Sequence, residues 1–128
     1  MHPIAIYPEG QPAPAGHYAP GVRHGDLLFI SGQLPGPGDP PSVAADIAAQ
    51  ATAAMSALLR VVSAAGGTPA DLVKITVYLV GIDHWTAFDT ACRTMLGDAR
   101  PARAIVPVPA LHHGYLVEID GIAALRGG

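Results

Sequence analysis

The sequence predicts an α+β protein with one mixed β-sheet and two helices on a single face, in the order β-β-β-α-β-α-β-β. Segments with apolar residues at helical spacing alternate with short apolar or alternating runs typical of strands. Clusters of glycine, proline and aspartate separate these segments. A chain of 128 residues suits one domain over residues 1–128 and leaves no room for a second.

Three strands are predicted before the first helix. Residues 4–6 alternate within a proline-rich segment, which is typical of an edge strand. Residues 18–22 and 27–30 are predicted to form a hairpin, and Gly25 supplies the positive φ that its turn needs. Because residues 27–30 are a continuous apolar run, we expect this strand to be buried on both faces.

A long helix is predicted after a proline- and glycine-rich loop at residues 34–41. Ser42 is the expected N-cap, and Asp46 is expected in the first turn, where the helix dipole favours an acid. Apolar residues then recur along one face, and Gly66 ends the helix. These apolar residues are Ile47, Ala51, Ala54, Leu58, Val62 and Ala65.

The second half of the chain predicts a capped single turn at residues 68–71, a strand, a helix and two more strands. The strand at residues 72–80 has one apolar face, made of Val73, Ile75, Val77 and Leu79. Asp83 is expected to cap the second helix and Gly97 to end it. The buried stripe of that helix is predicted to be Trp85, Phe88, Cys92, Met95 and Leu96. Prolines mark residues 104–109 as an edge strand, and residues 116–125 are the last strand.

The composition excludes several classes of protein. A net charge of −3 with seven lysines and arginines does not supply the basic field that binds nucleic acid. The one cysteine, Cys92, excludes an internal disulfide and a multi-cysteine metal site. No uninterrupted apolar stretch approaches about 18 residues, and the N-terminus does not resemble a signal peptide. We expect a cytoplasmic protein that binds neither nucleic acid nor a membrane.

One face of the predicted sheet has no helix to cover it. Half of the residues are hydrophobic and only 13% are charged, against about 25% charged in a typical soluble domain. Because a face of valine, isoleucine and leucine is unstable in water, we predict that self-association buries it.

Arg103 and Glu118 are the candidate catalytic residues, because they are charged residues within or beside apolar strands. If these two strands are neighbours, the guanidinium and the carboxylate project near each other. An arginine fork binds a substrate carboxylate through two hydrogen bonds, and a glutamate with a raised pKa can deprotonate a water. The alternative is a structural ion pair between Arg103 and Glu118.

The other polar candidates carry weaker signals. Six histidines show no metal-ligand spacing, so no metal is expected, and the adjacent His112 and His113 would point to opposite faces of a strand. Cys92 is interpreted as a small buried hydrophobe rather than a nucleophile. Ser31 is a candidate for ligand binding but has no base nearby. Trp85 and Phe88 are interpreted as core rather than as a stacking platform.

Several short segments occur in one order and spacing: FISGQ at residues 29–33, AAG at 64–66, VKITVYL at 73–79, PAR at 101–103 and VEI at 117–119, followed by Ile122 and Ala123. Together they resemble the RidA (YjgF) family of reactive-intermediate deaminases. The resemblance extends from about Gly16 to Leu125.

The resemblance implies a homotrimer of the chorismate-mutase type, with active sites in clefts between subunits. The implied reaction is hydrolysis of 2-imino acids, or their enamine tautomers, to 2-oxo acids and ammonia, without a metal or organic cofactor. Arg103 is implied to bind the substrate carboxylate and Glu118 to position the attacking water. The substrate-binding positions that the resemblance implies are Tyr18, Ser31, Gly32, Asp89 and Ile105.

The sequence also departs from the family's pattern. Asp89 stands where an asparagine is expected, Ile105 where a cysteine is common, His112 where a proline is common, and residues 19–20 are Ala-Pro rather than Ser-Gln. If Asp89 faces the pocket, its charge would repel a carboxylate substrate, and His112 or His113 would add a titrating group at the rim.

Three alternatives to the imine deaminase therefore stay open. One is a relative that acts on another carbonyl or enamine substrate in a biosynthetic pathway. Another is a non-catalytic ligand-binding trimer, in which Arg103 binds an acid without turnover. The third is the ribonuclease activity that has also been attached to the family, which the low content of basic residues disfavours.

Overall fold

The computed structural model describes residues 2–36 and 45–126, which form a six-stranded mixed sheet with two helices on one face. The strands are β1 (Ile4–Ile6), β2 (Gly21–His24), β3 (Leu27–Gln33), β4 (Leu72–Leu79), β5 (Ala102–Pro107) and β6 (Val117–Ala124), and the helices are α1 (Ile47–Ala64) and α2 (Trp85–Leu96). The order across the sheet is β1-β2-β3-β6-β4-β5. Only β4 and β5 are parallel among the paired strands. The predicted fold class and element order are confirmed, and β1 and β5 lie at the edges as their prolines indicate.

The hairpin of β2 and β3 begins later than the sequence predicts. Residues 18–22 are expected as its first strand, but β2 runs Gly21–His24. Pro20 has no N–H for a ladder, so Tyr18 lies in the loop before the strand. The turn is as predicted, because Gly25 has a φ of 63° between the paired residues His24 and Leu27.

Strand β3 is buried on one face, whereas its apolar run predicts burial on both. Leu28 and Ile30 are at most 4% exposed, but Leu27 and Phe29 are 43% and 45% exposed. Successive side chains of a strand point to opposite faces, and no helix of the described residues covers the face that carries Leu27 and Phe29. The prediction of an uncovered sheet face is therefore confirmed for a single chain.

Helix α1 begins at Ile47, with Asp46 as its N-cap rather than in its first turn. The Asp46 carboxylate accepts a hydrogen bond from the Ala49 N–H at 2.9 Å, and Ser42, the expected cap, lies outside the described residues. Gly66, with a φ of 87°, follows the helix end as predicted. Helix α1 has the length and the apolar composition of a membrane-spanning helix. Half of its residues are nevertheless buried in the core, as in the core helix of a globular domain.

Two expectations for α2 are wrong. Asp83 lies in a separate 3₁₀ turn, Ile82–His84, and His84 takes the N-cap position without a side-chain hydrogen bond. Trp85, the first residue of the helix, is 42% exposed. The rest of the stripe is placed as expected, with Phe88, Cys92 and Leu96 buried, Met95 half-buried and Gly97 at the C-cap.

Val73 also departs from its expected place. It is 48% exposed, whereas Ile75, Val77 and Leu79 are fully buried. A register shift between Leu72 and Lys74 in the pairing of β4 with β6 turns Val73 away from the core. Such an irregularity breaks the alternation of side chains between the two faces.

Gln50 ties α1 to the segment that precedes β6. This residue is fully buried, its Nε2 donates to the Ala45 carbonyl at 3.0 Å, and its Oε1 accepts from the Leu116 N–H at 2.8 Å. The Leu116 carbonyl in turn accepts from the Val80 N–H at 2.9 Å. These bonds fix the start of β6 against the core.

Replacing Gln50 by leucine should destabilise the fold, because the Ala45 carbonyl and the Leu116 N–H would lose these buried partners. We expect the free energy of unfolding to fall by about 1–3 kcal/mol, measured by urea denaturation. Thr52→Ala, on the exposed side of α1, is the control and should change it by less than about 0.5 kcal/mol. Equal stabilities for the two variants would contradict the role of Gln50.

Candidate active site

Glu118 lies in a cavity on the sheet face that the helices leave uncovered. Its neighbours along β6, Val117 and Ile119, are fully buried on the helix side, so alternation places Glu118 on the other face. The cavity has a volume of about 680 Å³ and is also lined by Tyr18, Ser31 and Gly32. This cavity, the Glu118 cavity, therefore brings together four of the predicted site residues, namely Tyr18, Ser31, Gly32 and Glu118.

A bulge in β3 shapes the floor of the Glu118 cavity. The pairing of β3 with β6 shifts register between Ile30 and Gln33, which leaves one extra residue at Ser31 and Gly32. The Ser31 N–H donates to the Pro20 carbonyl at 2.9 Å, and its hydroxyl donates to the Ala19 carbonyl at 2.6 Å. Bulges are common beside active sites because they redirect side chains. This one attaches the loop that carries Tyr18 to the floor of the cavity.

Gly32 leaves the space that the Glu118 carboxylate occupies. A Cβ atom at Gly32 would lie 2.9 Å from Oε2 and 3.0 Å from Cδ of Glu118. Its backbone is not in the left-handed region, so the requirement for glycine is steric. The position therefore controls where the carboxylate lies.

The pKa of Glu118 is raised above its usual value, chiefly because burial disfavours the charged form. The carboxylate of Asp120 raises this pKa further by repulsion, whereas the charge of His112 lowers it. Asp120 accepts a hydrogen bond from the Tyr78 hydroxyl at 3.0 Å. A glutamate with a raised pKa is a stronger base than an ordinary one, as proton transfer from water requires.

Arg103 lies on the other face of the sheet, at its edge. It pairs with Ile75 of β4, which is buried beneath the helices. Its Nη1 donates to Asp89 Oδ1 of α2 at 2.8 Å, and its guanidinium carbon lies 5.4 Å from the centre of the Trp85 ring. The sequence predicts Trp85 as a core residue, and this prediction is wrong. The exposed Trp85 ring packs against the Arg103 guanidinium instead.

Asp89 joins two arginines. Its Oδ1 accepts from Arg103, and its Oδ2 accepts from Arg93 Nε at 2.9 Å. The hydrogen bonds from Arg103 and then from Arg93 hold the pKa of Asp89 below its usual value. A cleft of about 470 Å³ is lined by these three residues and by Arg100. This Arg103 cleft therefore carries a net positive charge, in spite of Asp89.

Arg103 and Glu118 do not meet within one chain. Strand β4 lies between β5 and β6, so the two strands are not neighbours, and the two side chains project from opposite faces. The alternative of an ion pair between Arg103 and Glu118 is also wrong, because Arg103 is paired with Asp89. Each chain carries two separate half-sites, the Glu118 cavity and the Arg103 cleft.

The side chains of Ile105 and Cys92 belong to the helix side of the sheet. Ile105 packs against the core and lines neither half-site, so its substrate-binding role stays a prediction. Cys92 lines the Arg103 cleft, but burial raises the pKa of its thiol, which agrees with its interpretation as a small hydrophobe.

His112 and His113 differ from the expectation that they point to opposite faces. They lie in a 3₁₀ turn, His112–Gly114, rather than in a strand. Their rings stack with centroids 3.8 Å apart, and both line the Glu118 cavity. Among residues 2–36 and 45–126, no three His, Cys, Asp or Glu side chains are grouped so that they could hold a metal ion.

Other residues of the Glu118 cavity carry no sequence signal. Gln11, Pro12 and Pro14 come from the loop after β1, and Tyr115 comes from the segment before β6. Loop residues follow no periodic spacing, so a pattern of apolar residues does not identify them. Only the proximity of these loops to β3 and β6 in the fold reveals them.

The six-stranded mixed sheet with two helices is the YjgF fold. The crystal structure of the Escherichia coli YjgF gene product matches with a TM-score of 0.86 and 32% identity, over 96% of this chain and 99% of that one. The sequence profile of the family described as endoribonuclease L-PSP matches residues 9–125. The chain belongs to this family, the YjgF/RidA family, as its sequence segments indicate.

Two similar relatives have different names. The 2-iminobutanoate/2-iminopropanoate deaminase of Escherichia coli strain K12 is 32% identical over 124 residues, which are 94% of this chain and 97% of that protein. A RutC family protein of Pyrococcus horikoshii is 33% identical over 119 residues, covering 92% and 94%. Because the names differ, membership of the family leaves the activity of this chain to be argued from its site.

Replacing Gly32 by alanine should displace the Glu118 carboxylate towards solvent without unfolding the protein, because the atoms in the way belong to a side chain. We expect the pKa of Glu118 to fall towards its usual value, measured by carbon-13 NMR titration of the side-chain carboxyl group. Thr52→Ala, on the exposed side of α1 and outside the cavity, is the control and should leave the titration unchanged. An unchanged titration in Gly32→Ala would contradict the steric role of Gly32.

Proposed function

We propose that this protein hydrolyses 2-imino acids, or their enamine tautomers, to 2-oxo acids and ammonia. The observation that carries the proposal is the placement of Glu118, with its raised pKa, beside Tyr18, Ser31 and Gly32 in one cavity. The positively charged Arg103 cleft supplies a fork for the substrate carboxylate. The relative named as an imine deaminase supports the same reaction class.

Glu118 moves the proton in this mechanism. It accepts a proton from a water as the water oxygen bonds to the imine carbon, and the electron pair of the C=N bond moves to the nitrogen. Glu118 then returns the proton to that nitrogen, which gives a carbinolamine with one hydroxyl and one amino group. Glu118 next accepts the proton of this hydroxyl and passes it to the amino nitrogen. The C–N bond breaks as the C=O bond of the 2-oxo acid forms, and ammonia leaves. The imine carbon is already electrophilic, so the protein needs only to place the water and supply a base.

Arg103 holds the substrate in this mechanism. A guanidinium has several N–H donors in a planar fork, and Asp89 accepts a hydrogen bond from Nη1 of this fork. Stacking on Trp85 and pairing with Asp89 restrict the orientation of the guanidinium before substrate arrives. Binding of the carboxylate then fixes the imine carbon relative to the water.

We also propose that a homotrimer completes the site, so that the Arg103 cleft of one subunit meets the Glu118 cavity of the next. The uncovered sheet face supports this, since Leu27, Phe29 and Val106 are each more than a third exposed. A contact between two different surfaces of the same chain gives a closed ring when the rotation between neighbours completes a circle, and three copies at 120° do so. Such a ring buries the apolar face and joins two half-sites that a single chain holds apart.

A second candidate is a related enzyme that acts on a different carbonyl or enamine substrate. The observation that favours it is Asp89, whose carboxylate bonds to Arg103 at 2.8 Å, at the place where a substrate carboxylate is proposed to bind. Asp89→Asn removes this charge. If the wild type does not process simple 2-imino acids but Asp89→Asn does, the second candidate is correct.

Arg103→Ala should remove most of the imine hydrolysis while the oligomer stays intact, because the substrate loses its carboxylate partner. We expect kcat/KM to fall by about 100-fold or more. The assay generates 2-imino acids with an amino-acid oxidase and catalase, and semicarbazide traps the imine that the protein leaves. Arg60→Ala, on the exposed side of α1, is the control. Undiminished hydrolysis by Arg103→Ala would refute the proposed role.

The pH dependence of hydrolysis should report Glu118. As a base, Glu118 must be ionised, so kcat/KM should rise with pH through its pKa. Because burial raises that pKa, the midpoint should lie above the ordinary value of 4.5. Glu118→Gln should lose this acidic limb of the pH profile, the rise of kcat/KM with pH, together with most of the activity. A midpoint at or below 4.5, or a limb retained in Glu118→Gln, would contradict the assignment.

A further inference from the structure

We propose that the Glu118 cavity selects 2-imino acids with a large planar side chain, and that the stacked rings of His112 and His113 form the wall against which this side chain packs. The inference rests on the proposed function and specifies its substrate class. It is carried by the geometry of the ring pair and by the size and lining of the cavity.

The ring pair depends on an unusual backbone conformation. His113 has φ 63° and ψ 11° and is the one non-glycine residue with a positive φ among the described residues. Residues other than glycine rarely adopt this left-handed backbone conformation. At His113 it accompanies two stacked rings, whose planes lie within 10° of each other. Tyr115 meets His113 edge-on, at 6.4 Å between centroids. The turn thus presents a flat, braced ring surface.

The position of this surface relative to Glu118 is fixed by the core. The turn that carries the two histidines leads directly into Leu116, whose N–H donates to the buried Gln50. Two residues further along β6 stands Glu118. The stacked rings and the carboxylate therefore belong to one continuous segment that is anchored between them.

In the single chain, before a neighbouring subunit adds its side chains, the cavity is larger than a small imino acid requires. Its volume of about 680 Å³ lies within the range of about 300–1,000 Å³ that is typical of pockets for drug-sized ligands. Besides the two histidines, its wall contains the rings of Tyr18 and Tyr115 and the apolar side chains of Pro12, Pro14, Pro20 and Leu34. A side chain of one or two carbon atoms would leave most of these surfaces without contact.

A planar side chain fits the wall by chemistry as well as by size. Aromatic rings attract one another in offset-stacked and edge-to-face arrangements, and one such contact corresponds to about a 2- to 12-fold change in affinity. A third ring placed against the histidine pair extends an existing stack. The substrate carboxylate meanwhile points towards Arg103 of the neighbouring subunit, and the imine carbon lies near Glu118.

The test compares imines generated from phenylalanine and from alanine in the trapping assay. We expect the wild-type kcat/KM for the phenylalanine-derived imine to be at least about ten times that for the alanine-derived imine. His113→Asn removes the ring but tolerates the left-handed backbone, and it should reduce this ratio by about 2- to 12-fold. His2→Asn, an exposed histidine outside the cavity, is the control and should leave the ratio unchanged.

The proposal is overturned if the wild type prefers the alanine-derived imine, or if His113→Asn and His2→Asn give the same ratio. If no imine is hydrolysed, the proposed function has failed. The selectivity of the cavity is then tested separately, by measuring ligand binding. Calorimetry with the stable 2-oxo acids phenylpyruvate and pyruvate should then give a tighter Kd for phenylpyruvate, with the difference reduced in His113→Asn. Equal Kd values for the two acids would overturn the selectivity as well.

Discussion

Alternation of side chains across a sheet that is covered on one face only is the constraint on which the rest of this structure depends. Helices α1 and α2 cover one face, so the other face keeps apolar side chains such as Phe29 exposed in a single chain. The same alternation places Glu118 on the uncovered face and Arg103 on the helix side, with β4 between their strands. The proposed trimer would bury the uncovered face and bring the two half-sites together through the same contact.

The two half-sites have complementary electrostatics. Burial and the neighbouring Asp120 raise the pKa of Glu118. The ionised Glu118 carboxylate is therefore a stronger proton acceptor than an ordinary glutamate. The Arg103 cleft keeps a net positive charge because Asp89 is bonded to two arginines. The two arginines offset the charge of Asp89, which alone would repel a substrate carboxylate. The hydrogen bond from Arg103 to Asp89 also restricts the orientation of the guanidinium. The proposed carboxylate-binding role of Arg103 is therefore compatible with an aspartate at residue 89.

Much of the fold could be predicted from the sequence, because periodic apolar spacing and glycine or proline boundaries determine which segments become helices and strands. Strand order could not, since periodicity carries no information on neighbours, and the expected proximity of Arg103 and Glu118 depended on it. Single-residue exceptions could not be predicted from the pattern either. The register shift between Leu72 and Lys74 turns Val73 away from the core, and the left-handed backbone of His113 accompanies two stacked rings that an ordinary strand would separate. The grouping of Tyr18 with Glu118 was implied by the family resemblance alone, because loop residues follow no spacing.

The most direct test of the central claim is to mix two inactive variants, Arg103→Ala and Glu118→Gln, and allow their subunits to exchange. If Arg103 of one subunit and Glu118 of the next form each site, a random mixture in equal amounts contains intact sites at about a quarter of the wild-type number. Imine hydrolysis should then recover to about a quarter of the wild-type rate. If mixed oligomers form and the activity stays at the level of the separate variants, the two residues do not act across an interface and the account is wrong.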